Sequence, residues 1–258
     1  MRSHRGICIV TGGTGFLGQE ICSAMVQQGF EVVSLDVNPT AEKVSQVRYF
    51  DCDISDYTDL QKVFSDKELK GKDIEVLINN AAIDAKFSKS VGTSFDFLQD
   101  TFDSLIDEFK VSIVGSLQCT QFVVQNMISN KLRNKSIIFI GSDLSVISPK
   151  QEVYRDTSGI QIFKKPISYS LIKHAVVGAT KYLSTDLAKY NIRVNCLSPG
   201  PILKDQPDFL IQNLKSEIPM SRLASTADII GVLEFFCNDS SSYITGQNIL
   251  VDGGRSVW

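Results

Sequence analysis

Short, mainly apolar runs alternate along the chain with longer stretches whose apolar residues recur at helical spacing. Gly6 to Thr11, Glu31 to Asp36, Val47 to Phe50, Ile74 to Ile78, Ser136 to Ile140, Ile192 to Leu197 and Asn248 to Val251 are the short runs. They are rich in β-branched residues, as strands buried on both faces of a parallel sheet require. Between them, helical patterns cover Gln19 to Gly29, Tyr57 to about Lys67, Phe102 to Lys131, the stretch carrying Tyr169 and Lys173 to about Lys189, and Thr226 to Asn238. Ser55 or Asp56 is placed to cap the second helix. Asp84 to Thr101 reads as a polar loop, and Leu203 to Ser216 as a mobile polar helix or lid. Strands and helices that alternate in this way imply one α/β domain, a parallel sheet with helices on both faces.

Composition narrows the function classes. A chain of 258 residues with 43% hydrophobic and 21% charged residues is an ordinary globular protein, and its net charge of -3 gives no general attraction for nucleic acid or anionic membrane. No apolar window is long enough to span a bilayer, and the amino terminus lacks the apolar core of a signal peptide. Cys8, Cys22, Cys52, Cys119, Cys196 and Cys237 form no Cys-x-x-Cys pair and read as reduced core residues of a cytoplasmic protein. Only His4 and His174 are available as imidazole ligands, so no metal site is expected.

The candidate chemistry lies where strands end. The first strand runs into Gly12-Gly13-Thr14-Gly15-Phe16-Leu17-Gly18 and then a helix. Glycines there let the backbone turn sharply and approach a pyrophosphate, which the N–H groups at the helix start stabilise. The second strand ends in Asp36, eighteen residues after Gly18. A carboxylate there accepts both ribose hydroxyls of an adenosine and repels a 2′-phosphate, so NAD is expected over NADP. Asn79-Asn80-Ala81-Ala82 closes the fourth strand, with small residues against which a flat cofactor can lie. Ser142, at the end of the fifth, is a candidate for holding a substrate oxygen. Arg155, Lys164 and Lys165, in the long loop that follows, read either as solvated charges or as contacts to a substrate anion. Tyr169 and Lys173 stand one helical turn apart on one face; an ammonium there favours the phenolate and equips the phenol for proton transfer with an alcohol oxygen.

In this order, Thr11-Gly12 to Gly18, Asp53, Asn79-Asn80-Ala81, Ser142, Tyr169 with Lys173, Asn195, Pro199-Gly200 and Ile244-Thr245-Gly246-Gln247 to Asp252-Gly253-Gly254 resemble the short-chain dehydrogenase/reductase family along nearly the whole chain. The resemblance implies a doubly wound Rossmann-type α/β fold with a seven-stranded parallel sheet, a homodimer or homotetramer, and nicotinamide-dependent oxidation or reduction. It implies Tyr169 as acid/base, Lys173 as the partner that lowers its pKa and bonds the nicotinamide ribose, and Ser142 as the group that orients the substrate. Cofactor contacts are implied for Gly12, Thr14, Gly15, Phe16, Leu17 and Gly18, for Asp36, for Asp53 and Ile54 at the adenine, and for Asn79 and Ala81. Pro199 and Ile202 are implied at the nicotinamide, Ile202 through its backbone.

Two positions depart from the family pattern. Phe16 stands where the single-domain branch usually has glycine, and Ser112 replaces the asparagine that anchors a water in the proton relay. Gly13 to Gly18, Asn79 to Asp84 and the long loop before Tyr169 look like a bacterial subgroup associated with surface sugars and flagellin modification. That resemblance implies a sugar or amino-sugar phosphate as substrate. A 3-oxoacyl-type ketone reductase is the alternative enzyme; a catalytically weak cofactor-binding regulator is the non-enzyme alternative, favoured by Ser112. Epimerase or dehydratase chemistry is disfavoured because the chain leaves no room for a substrate domain.

Overall fold

A computed structural model describes residues 5–38, 44–83, 97 and 102–258. The polar loop expected from Asp84 to Thr101 therefore lies, apart from Phe97, outside the described residues, as do His4 and the Asp84 of the surface-sugar pattern.

Seven strands, β1 (Ile7–Thr11), β2 (Glu31–Asp36), β3 (Val47–Asp51), β4 (Ile74–Asn79), β5 (Lys135–Ile140), β6 (Ile192–Pro199) and β7 (Asn248–Val251), form one sheet in the order β3-β2-β1-β4-β5-β6-β7. Every pairing is parallel. The doubly wound Rossmann-type fold expected from the sequence is the fold observed. β1, β4, β5 and β6 are buried at every position, which is why apolar residues dominate them; Glu75, Lys135, Arg193 and Asn195 are buried polar exceptions.

The period-two alternation of β1 divides its side chains between two cores. Ile7 and Ile9 join Leu60 and Val63 of α2 (Tyr57–Ser65), Cys119, Val123 and Met127 of α4 (Ser116–Ser129), and Ile172 and Val176 of α5 (Ile167–Leu187). Cys8 and Val10 join Ile21 and Met25 of α1 (Phe16–Gln27) with Ile229, Leu233 and Phe236 of α7 (Thr226–Phe236) on the other face. Asp56 caps α2 by accepting from the Thr58 amide, and a reciprocal Ser225–Asp228 box caps α7. All six cysteines are free and buried, and no helix among the described residues is long and apolar enough to cross a membrane.

Two segments differ from expectation. The helix expected from Phe102 to Lys131 is α3 (Asp103–Phe109), a π turn over Lys110–Gly115, and then α4. The stretch expected as a polar helix or lid contains α6 (Asp208–Ser216), which is amphipathic: Leu210 and Leu214 pack with Val153, Ile218 and Leu223 over the carboxyl edge of the sheet.

Candidate active site

Because β1 leads outward to β2 and β3 and the chain then returns to β4 beside β1, the connections diverge at the carboxyl ends of β1 and β4. A crevice opens there. It is a cavity of about 840 Å³ that runs from the turn after β1 to the start of α5.

One end is built from backbone. Gly12 has φ +67°, a left-handed turn that glycine adopts without strain. At Gly18 a Cβ would lie 2.1 Å from the Gly12 carbonyl oxygen, so α1 can pack this close to the turn only without a side chain there. α1 begins at Phe16 with Gly15 as N-cap and no side chain capping it. The first-turn N–H groups thus face the cavity as donors for an anion.

Asp36 joins the turn to β2, its Oδ2 accepting from the Thr14 amide at 3.0 Å and its Oδ1 from the Asn38 amide at 3.0 Å. Each carboxylate oxygen retains acceptor capacity for a ribose hydroxyl. Beneath it, burial and the neighbouring Asp36 charge push the Cys22 thiol up to about 12. Gly12, Thr14, Gly15, Phe16, Leu17, Gly18, Asp36, Asp53 and Ile54 all line this end. The donors, the close backbone approach and the carboxylate together fit an adenine dinucleotide.

In the middle, the two asparagines after β4 play different parts from those the sequence suggested. Asn79 does not line the cavity; it is buried and donates to Thr120 Oγ1 on α4 at 3.0 Å. Asn80 lines it instead, and its Nδ2 donates to the carbonyls of Thr11 at 3.1 Å and Gly12 at 3.0 Å. Thr11 Oγ1 accepts from the amides of Asn80 and Ala81, both at 3.0 Å. These bonds lock the ends of β1 and β4 together, with Ala81 as the small residue facing the cleft.

The other end holds the titratable groups. α5 brings Tyr169 and Lys173 to the cavity wall, with Lys173 Nζ 5.6 Å from the Tyr169 ring centroid and donating to the Ile140 carbonyl at 3.0 Å. Ser142 Oγ accepts from the Leu144 amide at 3.2 Å and donates to Asp143 Oδ1 at 3.0 Å. The other oxygen of Asp143 pairs with Arg255 Nη1 at 2.6 Å, an ion pair buried on both sides.

Asp252 delivers Arg255 by accepting from the amides of Gly254 at 2.9 Å and Ser256 at 2.8 Å. Burial pushes the Asp252 carboxyl up, and the hydrogen bonds from Ser256 and Gly254 more than offset this, leaving it below the usual carboxylate range. Pro199 and Ile202 line the same end. The bridge of Ile202 to Ala224 uses the amides of Leu203 and Ala224, so Ile202 turns its own backbone groups away from Ala224. Gln206 Nε2 takes its carbonyl at 2.7 Å. Asn195 ties β6 to the turn before β7 by donating to the Ile244 carbonyl and accepting from the Gln247 amide.

Ser112 sits behind the cavity wall, in the π turn, buried, with no partner for its Oγ among the described residues. Of the three basic residues of the long loop, Lys165 lines the cavity and Arg155 and Lys164 do not. Asn80, Asp143 and Arg255 are site residues that reading the sequence missed. Asn80 had a signal in the polar pair at the end of β4. Arg255 had none, because its partner Asp143 is 112 positions away.

A hydroxyl, a phenol and an ammonium line the same cavity as the anion donors and Asp36, which suits proton transfer to or from a substrate oxygen beside a bound dinucleotide. Comparisons with known proteins agree. Residues 15–256 match the family described as Enoyl-(Acyl carrier protein) reductase. The chain is 30% identical to a D-arabinitol 2-dehydrogenase (ribulose-forming) of Scheffersomyces stipitis, over 98% of this chain and 94% of that one. It is 28% identical to a 3-oxoacyl-(acyl-carrier-protein) reductase of Thermotoga maritima over the full length of both. A short-chain dehydrogenase of Leptospira borgpetersenii with bound NAD+ superposes with a TM-score of 0.85 at 26% identity, covering 98% of this chain and 94% of that one. With a family match over almost its whole length, the chain belongs to the short-chain dehydrogenase/reductase superfamily and is an NAD(P)-dependent oxidoreductase acting on CH–OH and C=O groups.

Proposed function

We propose that the chain interconverts a secondary alcohol and a ketone with NAD as the preferred cofactor. The observation that carries this reading is the placement of Tyr169, Lys173 and Ser142 at one end of the cavity whose other end carries Asp36. Bound there, the nicotinamide supplies the hydride donor or acceptor. The phenol of Tyr169 gives a proton to the ketone oxygen in reduction and takes it from the alcohol in oxidation. Lys173 favours the phenolate by its charge, and Ser142 orients the oxygen that reacts. Asp36 supports NAD because a 2′-phosphate beside its carboxylate meets like-charge repulsion.

Of the substrate classes expected from the sequence, the 3-oxoacyl-type ketone has better support than the sugar phosphate. A 3-oxoacyl reductase is among the similar proteins, whereas the similarities reported above indicate no surface-sugar or flagellin-modification subgroup. A pentitol or ketopentose is the second reading, supported by the 30% identity to a D-arabinitol dehydrogenase. The test follows NADH absorbance with acetoacetyl-coenzyme A, D-arabinitol, ribulose and a set of sugar phosphates, on wild type and on Tyr169→Phe. The expected result is turnover with a ketone or polyol, lost in Tyr169→Phe while NAD still binds. Undiminished turnover in that variant refutes the role assigned to Tyr169.

A further inference from the structure

The cation nearest the ring of Tyr169 is not Lys173. Lys165 Nζ lies 3.7 Å from the ring centroid, against 5.6 Å for Lys173. Lys165 is also held in place at its backbone. Its amide donates to Gln151 Oε1 at 2.9 Å, and its carbonyl accepts from Gln151 Nε2 at 3.0 Å, so one side chain grips both sides of the residue. Gln161 in turn donates to the carbonyls of Gln151 and Phe163. Tyr154 meets Phe163 edge to face at 5.1 Å, and Asn213 on α6 donates to the carbonyls of Val153 and Arg155. Pro166 then fixes the entry to α5. The long loop between β5 and α5 is thereby a scaffold that carries one ammonium to the face of one phenol.

We propose that Lys165 is a positioning residue for proton transfer, its ammonium stabilising the Tyr169 phenolate jointly with Lys173. This rests on the reading of Tyr169 as the acid/base. An ammonium over a neutral ring is attracted by the ring quadrupole alone, whereas the same ammonium beside a phenolate meets a full negative charge. The second attraction is the larger, so the charge of Lys165 favours the ionised form. The other charged groups lining this half of the cavity, among the described residues, are Lys173, Lys150, Asp143 and Arg255. Asp143 and Arg255 offset each other at 2.6 Å, and Lys150 is offset by Glu217 at 2.7 Å.

The test needs no substrate. The phenolate absorbance of wild type is titrated against that of Tyr169→Phe, so that the difference isolates Tyr169 from the other tyrosines. The same subtraction is made in Lys165→Met, Lys165→Gln and Lys165→Arg backgrounds, and calorimetry with NAD confirms that each variant is folded. Removing an opposite charge at this range moves an ionisation by about one pH unit. Tyr169 is expected to ionise about one unit higher in both neutral variants, at the wild-type pH in Lys165→Arg, and between the two in Gln151→Ala, which loosens Lys165 without discharging it. An unchanged Tyr169 titration in folded Lys165→Met or Lys165→Gln overturns the proposal. It leaves the role of Tyr169 itself to stand or fall by turnover in Tyr169→Phe.

Discussion

Gly18→Ala puts a single methyl group where the turn after β1 has no space. The added Cβ lies 2.1 Å from the Gly12 carbonyl oxygen and 2.8 Å from the Gly13 Cα, well inside the 3.4 Å at which ordinary contact begins. Both neighbours are backbone, so the strain is relieved only by moving α1 away from β1. That displaces Ile21, Cys22 and Met25, all fully buried, from the core they share with α7. Overpacking of this kind costs about 2–3 kcal/mol. For a chain of this length that corresponds to a melting temperature about 4–12 °C lower. The N–H groups at the start of α1 shift with the helix, so NAD affinity is expected to fall at least about tenfold, or ~1.4 kcal/mol. Gly15→Ala is the matched control, because its Cβ meets only the Gly12 oxygen at 3.4 Å. Its cost should stay within about 1 kcal/mol, the penalty of alanine at an N-cap. Thermal melts and calorimetric NAD titrations on the two variants decide the matter. If Gly18→Ala melts and binds NAD like Gly15→Ala, the close approach of turn and helix is not what shapes the phosphate site.

Ser112→Asn fills the position with the residue usual in the family and gives a buried site in the π turn, unpartnered among the described residues, a longer polar reach. It is expected to maintain or raise turnover, and complete loss in a kinetic assay indicates a different role for Ser112. Arg255→Met strands the buried Asp143 carboxylate and should destabilise by about 3–5 kcal/mol in denaturant unfolding, with the Arg255→Met/Asp143→Asn double variant recovering much of this. Equal stability of the single and double variants argues against that pairing. Burial pushes the thiols of Cys22, Cys52 and Cys237 up to about 12. Unfolded thiols ionise near ~8.5, so above that pH the unfolded chain holds fewer protons and folding loses up to ~1.4 kcal/mol per thiol per pH unit. Denaturant midpoints measured with reductant should be flat from neutral pH to about 8 and fall as the pH rises beyond 9; a flat profile to pH 10 contradicts the burial of these groups.

Sheet and helices were legible in the sequence because the buried central strands are short, mainly apolar runs and the helices between them carry apolar residues at helical spacing. Where reading failed, it did so at the π turn, at α6 and at single residues of the site. Asn79 and Asn80 are adjacent, and alternation sends one to Thr120 in the core and the other to the turn after β1; composition alone does not say which. The π turn at Lys110–Gly115 leaves the apolar pattern of a long helix nearly intact, so Ser112 could be placed on a helix but not in a bulge. Tyr169 and Lys173 are one turn apart on α5 and could be paired by counting. Arg255 reaches Asp143 only because β7 and the turn after it bring the end of the chain beside β5 and β6, a contact that depends on the whole topology.

Calorimetric titration of the folded wild-type protein with NAD and NADP, repeated on Asp36→Asn, tests the dinucleotide site most directly. NAD should bind with measurable heat and more tightly than NADP, and the gap between them should narrow when the charge at position 36 is removed. No binding of either nucleotide to well-folded protein contradicts the cleft's assignment, and with it every role given to Tyr169, Lys173 and Ser142.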